Sequence, residues 1–153
     1  MVVDLSLSSL FAGWAMADEI QRRLAADGFG DVRFSDGFVF QHLVDGPVTI
    51  GVLAERLEVT QQAASKSVAD LERRGYVART PDPADARARL VALTERGHGA
   101  IEGARRHRAA LGAELSEKLG PRRVEAAARL LEAVVAELGA DAAVRGRRVR
   151  APR

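Results

Sequence analysis

Six polar side chains lie close together near the middle of the chain, and their types suit contacts with duplex DNA. Glutamine can form two hydrogen bonds to adenine in the major groove, and serine can bond a base edge or a phosphate. Lysine adds a positive charge for the phosphate backbone or for guanine. No acidic residue interrupts the group, whose members are Thr60, Gln61, Gln62, Ser65, Lys66 and Ser67.

A second candidate group lies in a predicted β-hairpin. Residues 76–80 and 87–93 have the pattern of strands, and the proline- and aspartate-rich residues between them are typical of a turn. A basic residue near the tip of such a hairpin can reach the minor groove of DNA. Arg87 is the first candidate, and Arg89 is the alternative because its direction depends on the strand register.

The elements that must position these residues are helices with recognisable ends. Ser35, Thr49 and Thr60 can each cap the helix that follows, Gly75 can end a helix, and Pro121 suits a first helical turn. An apolar period of 3.6 residues predicts helices over about 5–26, 36–45, 50–57, 61–74, 95–119 and 122–138. The sequence therefore predicts a mainly α fold with a small β-hairpin.

The third and fourth predicted helices form a helix-turn-helix, which the hairpin converts into a winged helix. Ala54 is small, as is needed where two helices cross closely. Gly37 and Gly51 lie inside predicted helices, and each should weaken its helix by up to about 1 kcal/mol. The apolar residues expected to face the shared core are Val52, Leu53, Leu57, Val59, Val68 and Leu71.

Composition excludes several classes of protein. The absence of cysteine removes disulfides and thiolate chemistry. No apolar run approaches the roughly 18 residues of a membrane span, and no basic leader opens the chain, so we expect a cytoplasmic protein. The net charge of +2 depends on five arginines in residues 145–153. This basic tail, 141–153, is expected to be disordered, or to touch phosphates.

The combined motifs resemble the MarR (multiple antibiotic resistance regulator) family of winged helix-turn-helix transcription regulators. The resemblance is carried by Leu53–Leu57, Leu71–Arg79, Asp82–Arg87 and Leu93–Gly97. It implies a homodimer, usually a repressor, that reads a pseudo-palindromic operator in double-stranded DNA. It also implies a DNA-binding lobe over 35–94 and dimerisation helices over 1–30 and 95–140. The wide apolar stripes of the terminal helices agree with a second copy of the chain as partner.

The family's wing carries an Asp-x-Arg motif, which Asp85 and Arg87 match. The resemblance implies that Arg87 enters the minor groove while Asp85 braces its guanidinium. An arginine held by a carboxylate loses less rotamer entropy on docking. The alternative is a solvated surface ion pair, which would contribute less than about 1 kcal/mol.

Family members often bind small aromatic or phenolic anions between the dimerisation helices and the DNA-binding lobe. The candidates for such a pocket are Phe11, Trp14, Phe38 and His42, and the alternative is that they are ordinary core and surface residues. His42, His98 and His107 lack the spacing of a metal site on one helix. We therefore expect no metal, no cofactor and no enzyme activity.

One further alternative is a winged-helix module that binds protein instead of DNA. Acidic or large apolar residues on the fourth helix would favour protein, whereas the glutamines, serine and lysine there favour DNA. The segment 61–69 contains no arginine, which suggests a modest affinity for phosphates.

Overall fold

The computed structural model describes residues 4–140, which contain six helices and three strands. The helices are α1 (Leu5–Leu24), α2 (Asp36–Gln41), α3 (Ile50–Leu57), α4 (Gln61–Arg73), α5 (Glu95–Leu119) and α6 (Pro121–Glu137). The strands are β1 (Val48–Thr49), β2 (Val77–Pro81) and β3 (Arg89–Leu93). The predicted mainly α fold with a small β wing is confirmed. The prediction made for the tail, 141–153, lies outside the described residues.

The small sheet has one strand more than the sequence predicts. β3 lies between the other two strands and pairs antiparallel with both, in the order β1-β3-β2. Val48 and Thr49 pair with Val91 and Leu90. A two-residue strand has no alternation to detect, which is why the sequence pattern missed it. The strand joins the beginning of α3 to the base of the wing.

The predicted second helix is shorter than expected, and its capping differs. Helical structure ends at Gln41 instead of near residue 45. Ser35 has helical backbone angles and makes no side-chain capping bond, so the predicted cap is wrong. Asp36 fixes this end instead: its carboxylate accepts a hydrogen bond from the Arg33 amide at 2.8 Å, and its own amide donates to the Arg33 carbonyl at 3.0 Å.

The end of α1 is a widened turn. A π-helical turn over Ala25–Phe29 continues the helix, and Gly28 takes a φ of +91° there, which glycine adopts at little cost. The loop then returns toward the sheet, where the Gln21 side-chain amide donates to the Val32 carbonyl at 2.5 Å. This loop holds Asp31 and Arg33 beside the helix-turn-helix.

The core of the described residues lies under the helix-turn-helix and the sheet. Leu53, Val68, Tyr76 and Val91 are fully buried there. Two residues predicted to face this core do not, because Val52 and Val59 are 37% and 40% exposed. Val52 lies on the outer face of α3, and Val59 lies in the connection to α4.

The long helix α5 packs against α1 and forms a helical hairpin with α6, which turns at Gly120. Gly103 allows α5 to approach α1 closely, since a Cβ there would lie 3.2 Å from the Leu24 side chain. Arg23 on α1 forms two hydrogen bonds to the Glu114 carboxylate on α5, at 2.9 and 2.7 Å. Within residues 4–140, no helix combines the length and apolar character that a membrane span requires.

Candidate nucleic-acid interface

The helix-turn-helix is fixed by two threonine caps and one tight connection. The Thr49 hydroxyl accepts from the Val52 amide at 3.2 Å, and the Thr60 hydroxyl accepts from the Ala63 amide at 3.1 Å, as predicted. Between the two helices, Glu58 adopts left-handed backbone angles with a φ of 54°. This turn sets the crossing, at which Ala54 is buried as expected.

The predicted polar group forms the outer face of the first two turns of α4. Thr60, Gln61, Gln62, Lys66 and Ser67 are exposed, and Ser65 is half-buried. The first turn of the helix contains no acidic residue. The buried side of the same helix carries Ala64, Val68 and Leu71. The first two turns of α4 therefore present a polar, acid-free surface to the outside, while the apolar face of the helix holds it against the core.

Gly51 contributes to this face in a way that the sequence did not reveal. A Cβ at Gly51 would lie 3.4 Å from the Gln61 side-chain nitrogen. Gln61 therefore packs against the first turn of α3, whereas Gln62 projects from the next position. The glycine that we expected only to weaken α3 leaves room for the Gln61 side chain.

A buried ion-pair cluster anchors the far end of α4. The Arg74 guanidinium bonds both carboxylate oxygens of Asp36, at 2.7 and 3.0 Å, and one oxygen of Asp70 at 2.8 Å. Arg74 and Asp36 are each 9% exposed at the side chain. Hydrogen bonding to Asp36 raises the pKa of Arg74, so the guanidinium stays charged. The cluster joins residues 38 positions apart, and no local pattern in the sequence marks it.

A second network joins the base of the wing to the loop after α1. The buried Tyr76 hydroxyl donates to the Asp31 carboxylate. Desolvation, together with that carboxylate, raises the pKa of Tyr76 to about 12, so the phenol remains a neutral donor. The Arg96 guanidinium lies 4.7 Å from the centre of the Tyr76 ring and bonds the same carboxylate at 3.0 Å.

The wing is braced against α4 at its base. The Glu72 carboxylate accepts from both the backbone amide and the side chain of Arg79, at 3.2 and 2.9 Å. Because Glu72 lies on α4 and Arg79 on β2, these bonds hold the strand beside the helix. The relative position of α4 and the wing is therefore fixed near the base of the hairpin.

The tip of the wing is an ordered turn that exposes its arginines. The Asp85 carboxylate accepts a hydrogen bond from the Arg87 backbone amide at 2.9 Å. The expected Asp85–Arg87 side-chain pair is not among the ion pairs within residues 4–140, so Asp85 braces the backbone at Arg87 and not its guanidinium. Arg87 and Arg89 are both exposed. β3 begins at Arg89, two residues later than predicted, because the turn includes Arg87.

A cavity of about 720 Å³ opens between α1, α2 and α5. Its walls are mostly apolar and include Ile20, Phe38 and Ile101. Three arginines that no local sequence pattern marks also contribute to its lining: Arg33, Arg105 and Arg108. A partly open, mainly apolar cavity with a few charged groups suits a small amphipathic ligand.

Of the four predicted ligand residues, the structure brings only Phe38 to this cavity. Phe11 and Trp14 are 58% and 57% exposed and contact each other edge to face on α1, with ring centres 5.6 Å apart. His42 is half-buried beyond the end of α2, where its carbonyl accepts from Arg56 at 3.2 Å. In residues 4–140, no cluster of three histidine or acidic side chains has the arrangement of a metal site.

Comparison with known proteins gives one family. Residues 34–88, which span the second helix to the tip of the wing, match the model of the MarR family. No curated protein matches the sequence.

Solved structures similar to this chain cover nearly its whole length. YusO from Bacillus subtilis is 25% identical, with a TM-score of 0.68, over 86% of this chain and 92% of that one. RV1404 from Mycobacterium tuberculosis is 24% identical, with a TM-score of 0.71, over 88% of this chain and 93% of that one. FabT from Streptococcus pneumoniae was solved in complex with DNA. It is 21% identical, with a TM-score of 0.65, over 88% of this chain and 93% of that one. At the two lower identities, the similarity concerns the fold alone.

Proposed function

We propose that this chain, whose residues 34–88 match the model of the MarR family, is a transcription regulator that binds double-stranded DNA as a homodimer. The observation that carries the proposal is the exposed, acid-free surface of the first two turns of α4 beside a wing tip with two exposed arginines. A similar protein, FabT, was solved in complex with DNA. A face without acids or large apolar residues favours DNA over a protein partner.

In this proposal, the beginning of α4 enters the major groove. Gln61 and Gln62 contact base edges, and Lys66 contacts a phosphate or guanine. Thr60, Ser65 and Ser67 complete the contact surface. Arg87, held by the turn that Asp85 braces, reaches the minor groove, and Arg89 lies nearby at the start of β3. In a homodimer, two such surfaces read a pseudo-palindrome with half-sites about one DNA turn apart.

Lys66→Ala is expected to weaken DNA binding uniformly across sequences and to reduce its salt dependence. Each lost phosphate contact lowers the slope of log affinity against log salt by about 0.9, and a homodimer presents Lys66 twice, so we expect a decrease of about 2. Fluorescence anisotropy with a duplex selected by the protein from a randomised pool measures both quantities. Arg73→Ala, which removes an exposed charge from the other end of the same helix, is the matched control and should bind as the unmodified protein does. An unchanged slope for Lys66→Ala would remove this residue from the interface.

Arg87→Ala is expected to weaken binding of the same duplex by at least about tenfold, because each half-site loses a minor-groove arginine. Asp85→Ala should have a smaller effect, since it removes only the brace of the turn. Mobility-shift titration measures the loss, and circular dichroism checks that the variant remains folded. Arg73→Ala, an exposed arginine at the far end of α4, serves as control. If Arg87→Ala and Arg73→Ala bind equally tightly, the wing tip does not contact DNA.

The proposed dimer buries apolar residues that a single chain leaves exposed. On α1, Leu10, Phe11 and Trp14 are largely exposed, and on α6 so are Leu130 and Leu131. Large apolar side chains left exposed on helices in this number are typical of an interface. We propose that α1, α5 and α6 form the dimer contact, continuous with the hairpin that α5 and α6 already make.

Trp14→Asp is expected to convert the dimer into monomers at micromolar concentration, because a carboxylate would be buried without a partner. Light scattering gives the mass. Val59→Asp is the control, since Val59 is also an exposed apolar residue but lies in the helix-turn-helix. Trp14 is the only tryptophan, so dilution of the unmodified protein should shift its fluorescence emission as the dimer separates. A Trp14→Asp protein that keeps the dimer mass would exclude α1 from the interface.

We further propose that the protein acts as a repressor that a small aromatic or phenolic anion releases from DNA. The cavity between α1, α2 and α5 supports this proposal, because it combines apolar walls with arginine side chains.

A further inference from the structure

The geometry points to Arg33 as the residue that couples the cavity to the DNA-binding helix. We propose that an amphipathic carboxylate bound in the cavity draws Arg33 away from Asp70 on α4, and that the loss of this contact weakens DNA binding. The inference rests on the proposed function, and it adds the physical link between the two sites.

Arg33 belongs to both sites at once. It contributes to the wall of the cavity, together with its neighbours Phe34 and Gly37. Its guanidinium also lies 3.1 Å from the Asp70 carboxylate. Its backbone is held by the two hydrogen bonds to Asp36, so the side chain can change partner while the main chain stays in place.

Asp70 lies where a change of partner affects the DNA-binding face. It follows Lys66 by one helical turn and Ser67 by three residues on α4. Its carboxylate is shared among Arg33, Arg73 and Arg74. Partial burial raises the pKa of Asp70, but the hydrogen bonds from Arg74 and Arg73 outweigh it and hold the pKa below its ordinary value. The carboxylate is therefore charged at neutral pH and continues to attract Arg33.

The charge and shape of the cavity select the class of ligand. Its lining includes three arginines and one acid, Asp45, and its remaining walls are mainly apolar. A carboxylate with an aromatic body fits both features, because arginine binds carboxylates through two parallel hydrogen bonds.

The contact that the ligand must break is a weak one. The Arg33 side chain is 62% exposed, and exposed ion pairs contribute little to stability. A ligand can therefore displace Asp70 from Arg33 at small cost. The Arg74–Asp36 pair is buried and remains closed, so α4 stays attached while its outer contact to the loop is lost. We expect a change in DNA affinity at the lower end of ordinary coupling, about fivefold.

The test uses the full chain with 2-naphthoate and its neutral analogue 2-naphthalenemethanol. For the unmodified protein, 2-naphthoate should raise the Kd for the selected duplex about fivefold, and the alcohol should not. Arg33→Gln should raise the Kd by a similar factor without ligand and should abolish the response to 2-naphthoate. Arg33→Lys should restore part of the response. Arg73→Gln is the matched control, because it removes another arginine from Asp70 that does not line the cavity, and its response should be retained.

A second measurement needs no DNA. Hydrogen exchange at the amides of residues 70–76 should accelerate on addition of 2-naphthoate in the unmodified protein and in Arg73→Gln, but not in Arg33→Gln. If no duplex is bound but this exchange pattern appears, the proposed DNA binding is wrong, whereas the link that Arg33 makes between the cavity and α4 stands. Three results overturn the coupling: an equal response in Arg33→Gln, a response lost in Arg73→Gln, and no binding of 2-naphthoate by thermal shift.

Discussion

Gly97→Ala is expected to lower the stability of the fold strongly. A Cβ at position 97 would overlap the carbonyl oxygen of Tyr76 and would lie 3.0 Å from the Leu93 side chain. The Tyr76 carbonyl also accepts the Thr94 amide at 3.0 Å, so it cannot move away without losing that bond. The cost of such overpacking reaches about 3 kcal/mol or more, a large part of the total stability of a domain.

Thermal unfolding followed by circular dichroism measures this effect. Gly112→Ala is the matched control, because it lies on the same helix and a Cβ there has open space. Alanine at 112 should raise stability slightly, since glycine costs up to about 1 kcal/mol inside a helix. If the two variants melt within a few degrees of each other, the close approach of α5 to Tyr76 does not exist. The two variants therefore test the contact between α5 and the base of the wing.

Arg74→Met is expected to lower the free energy of unfolding by about 3–5 kcal/mol. It leaves the Asp36 carboxylate buried, with its guanidinium partner replaced by a thioether. Removing one partner of a buried ion pair costs more than the pair itself contributes, because the remaining charge is not compensated. Urea denaturation gives the change in free energy, and the same cluster anchors α4, so DNA binding should weaken as well.

Arg73→Met separates this effect from a general loss of charge. Arg73 pairs with Asp70 but is 72% exposed, so its removal should cost less than about 1 kcal/mol. Adding Asp36→Asn to Arg74→Met should recover part of the lost stability, since the buried charge is then absent. Equal stabilities of the two methionine variants would contradict the assignment of Arg74 as the buried anchor.

The candidate interface could be predicted largely from the sequence because its signals are local. The capping threonines, the polar run after Thr60 and the glycine at 75 act through backbone groups within a few residues of themselves. The structure confirms both caps, and it leaves five of the six polar residues exposed and Ser65 half-buried. Their contacts with DNA stay predictions, which the Lys66 and Arg87 variants test.

Of the four predicted ligand residues, only Phe38 lines the cavity, and the reason is physical. The aromatic residue type alone predicts Phe11 and Trp14 as ligand residues. Whether their face of α1 lines a cavity depends on the elements that pack beside the helix. The structure leaves both exposed on α1 and brings Phe38, with the arginines, to the cavity. Asp85 was expected to hold the Arg87 side chain, yet the tight turn directs its carboxylate to the backbone amide.

The sequence by itself determined which segments are helical, where α3 and α4 begin and which residues their polar face carries. Periodicity and capping act over one or two turns of chain, so they can be read locally. Only the tertiary structure decided that β1 joins the sheet, that Arg74 reaches Asp36 across 38 positions, and that Arg33 stands between the cavity and Asp70. Such contacts depend on long-range packing, because burial and partner charge exist only once distant segments have come together.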